Sequence, residues 1–532
     1  MPEPIEPNGP IDPTGEVFVE ADDAPMTPDE TPAKRGALRT ATVISARLVL
    51  GCVAVGVIAV LVGAAILLPL PGVRSSVVST VVTPVATSPQ LVCPGGLLRI
   101  GSASGQGATT VTAIGAPRVV SAAQPGKALV RPFATSDAGT AGSATAPQLL
   151  STPAAGSVTP LLAGAQSESI LTDEFAGLAT AECTAASGGM WLAGGATSIG
   201  RTTLLLLSNP TSVPAIVSLQ VFGESGRVTS PGMDGIPVAA GAQRVVSLAG
   251  FAPNLVSPVV HVTSTGGQIV AALEQSTMRG ITPGGIDFIG ASAAPATTTV
   301  LPGVVVSGTE ALQSLQGQSG YDDLQTTLRV YLPSSKPTSV SITVLAEDGT
   351  VTGKPITADL QPASVTDLPL DQLSDGNYTV IVTSHAPVLA SVRVSTAASV
   401  APASNTTQGG STGSAASSPG PGATDFAWIT PAALLTSSVL VPIASGMTAT
   451  VHLDNPTTHS ETVTLHAMSG NDITKEVPAH RAVSVPVVAG LTYQITGFTG
   501  LYASVSGTGP AQVTSYGISP LAQGEGPVRI VG

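Results

Sequence analysis

Charge and aromatic rings are scarce in this chain: 10% of its 532 residues are Asp, Glu, Lys or Arg, and 3% are Phe, Trp or Tyr. So few charged side chains cannot clothe the outer faces of many helices, which excludes a predominantly helical fold. Lys and Arg number 20 against 33 Asp and Glu, and no basic run is interleaved with aromatics, so the chain offers no face to a phosphate backbone; no nucleic-acid partner is expected. Cysteine is nearly absent, with three residues and no C-x-x-C pair. There is no H-E-x-x-H and no P-loop lysine. The match to G-x-S-x-G at Gly409–Gly413 sits in a Gly/Ser/Thr-rich stretch rather than at the strand-to-helix turn a nucleophile elbow requires. No catalytic residue, metal site or cofactor is expected.

What the chain does contain is glycine (59), proline (45) and abundant Ala, Val, Ser and Thr. These favour short strands joined by tight turns, and the length allows several domains. The expected fold is all-β.

One segment departs from that texture. Leu48 to Pro71 is 24 residues without a charge, enough for a helix across a roughly 30 Å hydrocarbon core. Lys34, Arg35, Arg39 and Arg47 precede it and Arg74 alone lies close behind, so the positive-inside rule places the N-terminus in the cytoplasm and the bulk of the chain outside. The long lead and long apolar core fit a signal anchor better than a cleaved signal peptide. Ahead of it, residues 1–33 hold nine acidic residues and neither Lys nor Arg, the composition of a disordered tail. Beyond it, Cys93 and Cys183 are expected to form a disulfide in an oxidising exterior. Closing that loop stabilises by about 4 kcal/mol on the chain-entropy model.

A repeat runs through the rest. Pro210, Pro333 and Pro456 are spaced 123 residues apart, as are Val217, Val340 and Val463, and Leu219, Ile342 and Leu465. After each proline, apolar residues alternate with period two, the signature of a strand with one buried face. The proline cannot donate to a β-ladder and marks where a strand leaves its sheet. Asn209 and Asn455, with Thr211 and Thr457, supply turn chemistry; the second copy has Leu332 before its proline. Each copy carries about six short strands, the count of an immunoglobulin-like sandwich.

Few polar clusters invite a chemical role. His452, His459, His466 and His480 all fall in the third copy. Alternation puts His452 and His466 on the outer faces of adjacent strands, where solvated histidines are a better reading than a metal pair short of ligands. Glu347-Asp348-Gly349 and Asp375-Gly376-Asn377 read as hairpin turns rather than calcium loops. Trp191 and Trp428 precede the Asn-Pro hairpins; they read as core residues, with a sugar-stacking platform as the one binding role kept for them.

Cys93-Pro94-Gly95-Gly96, Cys183, WLAGGAT at 191–197, LSNPT at 207–211, the VSLQV strand with Gly226, and IVAALEQSTM at 269–278 together resemble a family of large exported actinobacterial proteins known only as a domain of unknown function. The likeness covers most of residues 90–520, with the second copy's Leu332-Pro333 as a departure. It implies a single membrane helix, an all-β outer part and a place in the cell envelope, and it carries no activity.

The expected organisation is a disordered acidic cytoplasmic tail (1–40), a transmembrane signal anchor (48–70), a stalk (71–90), a disulfide-containing β region (91–200) poorly ordered over 135–165, a first β-sandwich module (201–280), a second with its preceding linker (281–398), a low-complexity linker (399–424) and a third module (425–521). The expected function is that of a non-enzymatic, membrane-anchored envelope protein binding or scaffolding wall polymer or other envelope proteins. The alternatives are an accessory subunit of a membrane-bound glycan or cell-wall synthesis enzyme and, third, a hydrolase.

Overall fold

The computed structural model describes residues 51–61, 63, 79–82, 88–101, 111–133, 135–139, 145–156, 159–348, 350–370, 373–398, 422–520 and 528–531. Lys34, Arg35, Arg39, Arg47, the acidic tail, most of the stalk, Gly409–Gly413 and nearly all of the 399–424 linker lie outside these residues. Two units are distinguished, Val81–Arg529 and the termini Met1–Thr80 with Ile530–Gly532. In the latter, residues 51–61 are helical with exposed apolar side chains such as Val55 and Val60. Among the described residues no helix is long and apolar enough to cross a membrane.

Among its described residues the unit Val81–Arg529 is all-β apart from the short helix Thr309–Gln316 and one 3-10 turn. The alternating residues of the repeat face inward as the period-two reading requires: Val217, Val340, Val463, Leu219, Ile342 and Leu465 are all buried. In the first copy, a sheet ordered Gly189–Ala193, Val259–Gly266, Ala215–Gly223, Gly226–Val228 faces another ordered Thr282–Ile289, Val270–Arg279, Arg201–Asn209, Ala242–Ser247. Their inner faces share a core that includes Leu205, Val217, Leu219, Val260 and Leu273. The third copy repeats the plan. Val439–Pro442, Thr492–Thr496, Glu461–Ala467 and Ile473–Val477 form one sheet, and Arg481–Val487, Thr448–Asn455, Tyr502–Gly509 and Gln512–Gly517 the other. In the second copy a single 22-residue strand, Gly376–Ala397, serves both sheets, pairing with Thr338–Ala346 through its first half and Thr327–Tyr331 through its second.

The stretch before the second copy is not a flexible connection. Ala296–Val306 pairs along Gly376–Ala397, and Thr424–Ile429 pairs with the far end of the same strand. Leu301, Val304, Ala427 and Ile429 of these strands fill the second copy's core, while Phe426 and Trp428 join the first copy's. Residues 145–171, expected to be poorly ordered in part, hold the strands Gln148–Ser151 and Leu161–Leu171, with Leu150, Leu162 and Ala165 buried. These strands enclose the Cys93–Cys183 disulfide, whose Cα atoms are 4.2 Å apart.

The Asn-Pro turns are built identically. Asn209 donates from its amide nitrogen to the Val213 and Val238 carbonyls (2.8 and 3.1 Å) and accepts from the Thr211 N–H and hydroxyl (3.0 and 2.7 Å). Asn455 donates to the His459 and Val477 carbonyls (2.8 and 2.9 Å) and accepts from Thr457 (2.9 and 2.7 Å). Each amide thereby ties the hairpin to a neighbouring strand while its proline frees the chain from the ladder. In the second copy, backbone bonds between Leu332 and the 363–364 turn take over.

Because the Asn455 side chain is fully buried, Asn455→Ala strands the interior Val477 carbonyl and unties the turn, and should lower unfolding free energy by about 1–3 kcal/mol. Urea denaturation of the full chain beside Asn209→Ala, expected to behave alike, checks this; a change below about 0.5 kcal/mol would refute the assigned role.

Candidate functional site

The WLAGGAT stretch ends a strand at Ala193 and turns sharply, with Gly194 at φ 153° and Gly195 at φ 87°. A Cβ on Gly195 would lie 2.9 Å from the Thr203 side chain, and one on Gly194 would meet Ile289 and Trp428 at 2.9 and 3.0 Å. Glycine is required here by both backbone and space. The turn is then pinned: the Thr203 hydroxyl donates to the Ala196 carbonyl (2.7 Å) and accepts from its N–H (3.0 Å), while the Thr197 hydroxyl donates to Ala252 (2.5 Å). It forms one wall of a cleft of about 600 Å³.

Arginines from distant parts of the chain, Arg201, Arg329 and Arg393, also line this cleft. Asp323, in the loop after the short helix, pairs with Arg201 (2.9 Å), Arg279 (2.8 Å) and Arg393 (3.2 Å). Arg329 holds Asp367 through two bonds (2.9 and 3.0 Å) and spends its remaining N–H groups on the Gly195, Pro258 and Val256 carbonyls. Three guanidiniums also lie over rings: Arg329 on Trp428 (4.6 Å), Arg393 on Phe426 (4.7 Å) and Arg279 on Tyr321 (5.1 Å). Burial alone would push Asp323 up, but Arg393, Arg279 and Arg201 hold it far below the ordinary carboxylate range. Asp367 is likewise lowered by Arg329 against the effect of burial. Burial brings Arg393 down to about 10, opposed by Asp323. Through Asp323 these ion pairs lock Arg201 and Arg279 of the first copy to Arg393 of the second.

Trp428 is core rather than platform. It is 3% exposed, its indole N–H donates to Gln275 (2.7 Å), and one face is taken by Arg329. Trp191 lies apart, stacked on His261 with ring centroids 4.0 Å apart and beside Phe222 and Tyr331. The Trp428 ring is closed to solvent, while Trp191 is half-buried.

The histidines do not lie on adjacent strands. His452 and His466 belong to different sheets of the third copy. His466 is exposed and bonds Asp472 (2.8 Å), whereas His452 is fully buried because the second copy covers that face of its sheet. There it meets Glu347 at 2.5 Å and Ser506 at 2.7 Å. Glu347 sits in the hairpin turn between Thr338–Ala346 and Val351–Leu360, as expected, but its side chain faces the interior, where it also accepts from the Gly303 N–H, Thr379 and Ser484. Despite burial, His452 and these donors bring its pKa down. Asp375 is not turn chemistry: its two oxygens accept from the Gly308 and Thr309 N–H groups (both 3.1 Å), capping the short helix. The Asp348 side chain plays the turn role, accepting from Thr350. Among the described residues no three His, Cys, Asp or Glu are grouped to hold a metal ion.

A second cavity, about 250 Å³, lies near the disulfide and is lined by Leu162, Met190, Leu440 and Glu182. Burial pushes the Glu182 carboxyl up to about 8, against a bond from the Ser519 N–H. Asp454, buried and repelled by Glu347, rises to about 7. Sequence reading did not find the arginine cleft, since its members are separated by up to 192 positions, from Arg201 to Arg393. The available signal was Arg329 and Arg393 inside otherwise apolar strands, where a charge must have a partner.

A model described as a family of unknown function (DUF5719) matches residues 135–496. No curated protein matches the chain. Among solved structures, it is similar to one titled "Crystal Structure of Thermotoga maritima 1070", at 20% identity over 19% of this chain and 82% of that one, with a TM-score of 0.15.

Two outcomes follow for stability. Asp323→Asn leaves the buried Arg279 and Arg393 without their countercharge and should cost about 3–5 kcal/mol in urea unfolding; a loss under about 1 kcal/mol would refute the locking role. Glu182 and Asp454 bind a proton more tightly folded than unfolded, so their contribution is full below the ordinary carboxylate range and is lost as pH rises toward about 8 and about 7. Glu182→Gln combined with Asp454→Asn should therefore flatten the fall in urea midpoint between pH 5 and pH 8; an unchanged slope would contradict it.

Proposed function

Because the chain belongs to the family of unknown function DUF5719, whose name carries no activity, we propose from its own residues that it is a non-enzymatic, membrane-anchored protein of the cell envelope. Its outer part is a tandem array of immunoglobulin-like sandwich modules that binds or scaffolds wall polymer or envelope proteins. The observation that carries this reading is the Cys93–Cys183 bridge within a core downstream of the uncharged run Leu48 to Pro71. A structural disulfide favours an oxidising compartment, and the flanking cations favour a cytoplasmic N-terminus. The non-enzymatic part is supported by how these interior charges are spent: Asp323 and Glu347 are engaged in ion pairs that join one copy to another, and Asp367 in one within the second copy. The same reading extends to the family, as exported single-pass actinobacterial proteins with Asn-Pro β repeats.

Topology is testable with engineered thiols. Ile281 is 91% exposed, so Ile281→Cys should react with a membrane-impermeant maleimide on intact cells, whereas Thr27→Cys should react only after permeabilisation. The reverse pattern, or release of the chain from membranes by alkaline carbonate, would sink the proposal.

A further inference from the structure

The arginine cleft has a rigid polar base and an uncommitted rim. On the rim, the side chains of Asn254, Asp322 and Gln325 are exposed, and none makes a hydrogen bond to another described residue. Asn254 sits in the left-handed region at φ 59°, a conformation Asn tolerates better than most residues but still at some cost. Ile199 is 90% exposed and Val256 55% exposed, placing apolar C–H surface beside these amides. The volume lies within the range of small-molecule sites.

Charge narrows the ligand. An anion would need a free guanidinium, yet Arg329 has all its N–H groups engaged, Arg393 is held by Asp323, and Arg201 is spent on Asp323 and the Ile199 carbonyl. A cation would find Asp323 and Asp367 neutralised by arginine, leaving Asp322 alone. What the rim offers is two amides, each both donor and acceptor, one acceptor carboxylate and aliphatic surface. That set complements a molecule bearing many hydroxyls on a C–H framework.

We propose that this cleft binds a neutral oligosaccharide segment, with Asn254, Gln325 and Asp322 bonding its hydroxyls and Ile199 and Val256 packing against its C–H faces. The proposal rests on the reading of the chain as a binding protein and names what it binds. Without an exposed aromatic platform the contact is weak, with a dissociation constant on the order of 1 mM.

Saturation-transfer NMR on the full-length chain, with maltotetraose, cellotetraose and chitotetraose as probes and inorganic phosphate and a tetra-aspartate peptide as charged comparators, tests it. At least one tetrasaccharide should bind, and Asp322→Asn and Asn254→Gly should each weaken it 5-fold or more; the glycine keeps the left-handed backbone while removing the amide. Both positions are exposed, and an unchanged thermal melt confirms that each variant is folded. No tetrasaccharide binding, binding indifferent to both variants, or tighter binding of a charged comparator would overturn the assignment. Cleavage of a bound sugar would refute the non-enzymatic reading while leaving the cleft's ligand class standing, and the thiol-labelling outcome is independent of both.

Discussion

The structure depends on two buried aspartates that satisfy backbone groups where strands from every block converge. Asp425 accepts from the Leu178 N–H (2.9 Å) in the disulfide region, from Ile286 (3.3 Å) in the strand following the first copy, and from Val513 (3.3 Å) in the third. Asp287 accepts from the Trp428 N–H (2.8 Å) and from Thr514, whose hydroxyl also contacts that of Thr180 at 2.7 Å. An interior N–H without an acceptor costs about as much as a lost hydrogen bond. Burial pushes both carboxyls well up, and the backbone donors oppose it. The strands' dry meeting point exists because two side chains supply acceptors that no ladder could.

Around that point one repeat position is used three ways. Leu206, Arg329 and His452 are equivalent in the 123-residue register. Leu206 joins an apolar cluster with the disulfide region's Leu97 and Ala179, Arg329 binds carbonyls of the first copy, and His452 binds Glu347 of the second. The face the sequence pattern marks as outer is thus the docking face, and each copy's residue there is matched to the block it covers. The third copy in turn reaches back to the disulfide region, where Ser167 donates to the Ser445 carbonyl (2.7 Å) and the Ser519 N–H to Glu182 (2.9 Å).

This explains which features were legible. The all-β class, the inward faces of the repeated strands, the Asn turns and the disulfide follow from local chemistry: period two, a proline without an N–H, an amide two residues before a threonine, two cysteines in one compartment. His452 was misplaced because alternation distinguishes the two faces of a strand but not whether the second face meets water. The buried role of the Glu347 side chain and the helix contact of Asp375 were missed for the same reason, since their partners lie 32 to 137 positions away in sequence. The cleft was hidden because Arg329 and Arg393, conspicuous as charges in apolar strands, do not name their partners, and only the convergence on Asp323 and Asp367 brings them together.

For WLAGGAT and LSNPT, local reading and tertiary result differ in kind. LSNPT does within its own hairpin what its residues suggest. WLAGGAT is legible only as a glycine turn, and its use as the cleft wall comes from Arg329, 134 positions away. The sequence by itself determined the strand content, the turns, the disulfide and the repeat, because those depend on neighbours within a few residues or on composition. The tertiary structure alone decided which polar face is buried, which charge meets which and where a cleft opens, because those depend on distances between residues that nothing in their spacing encodes.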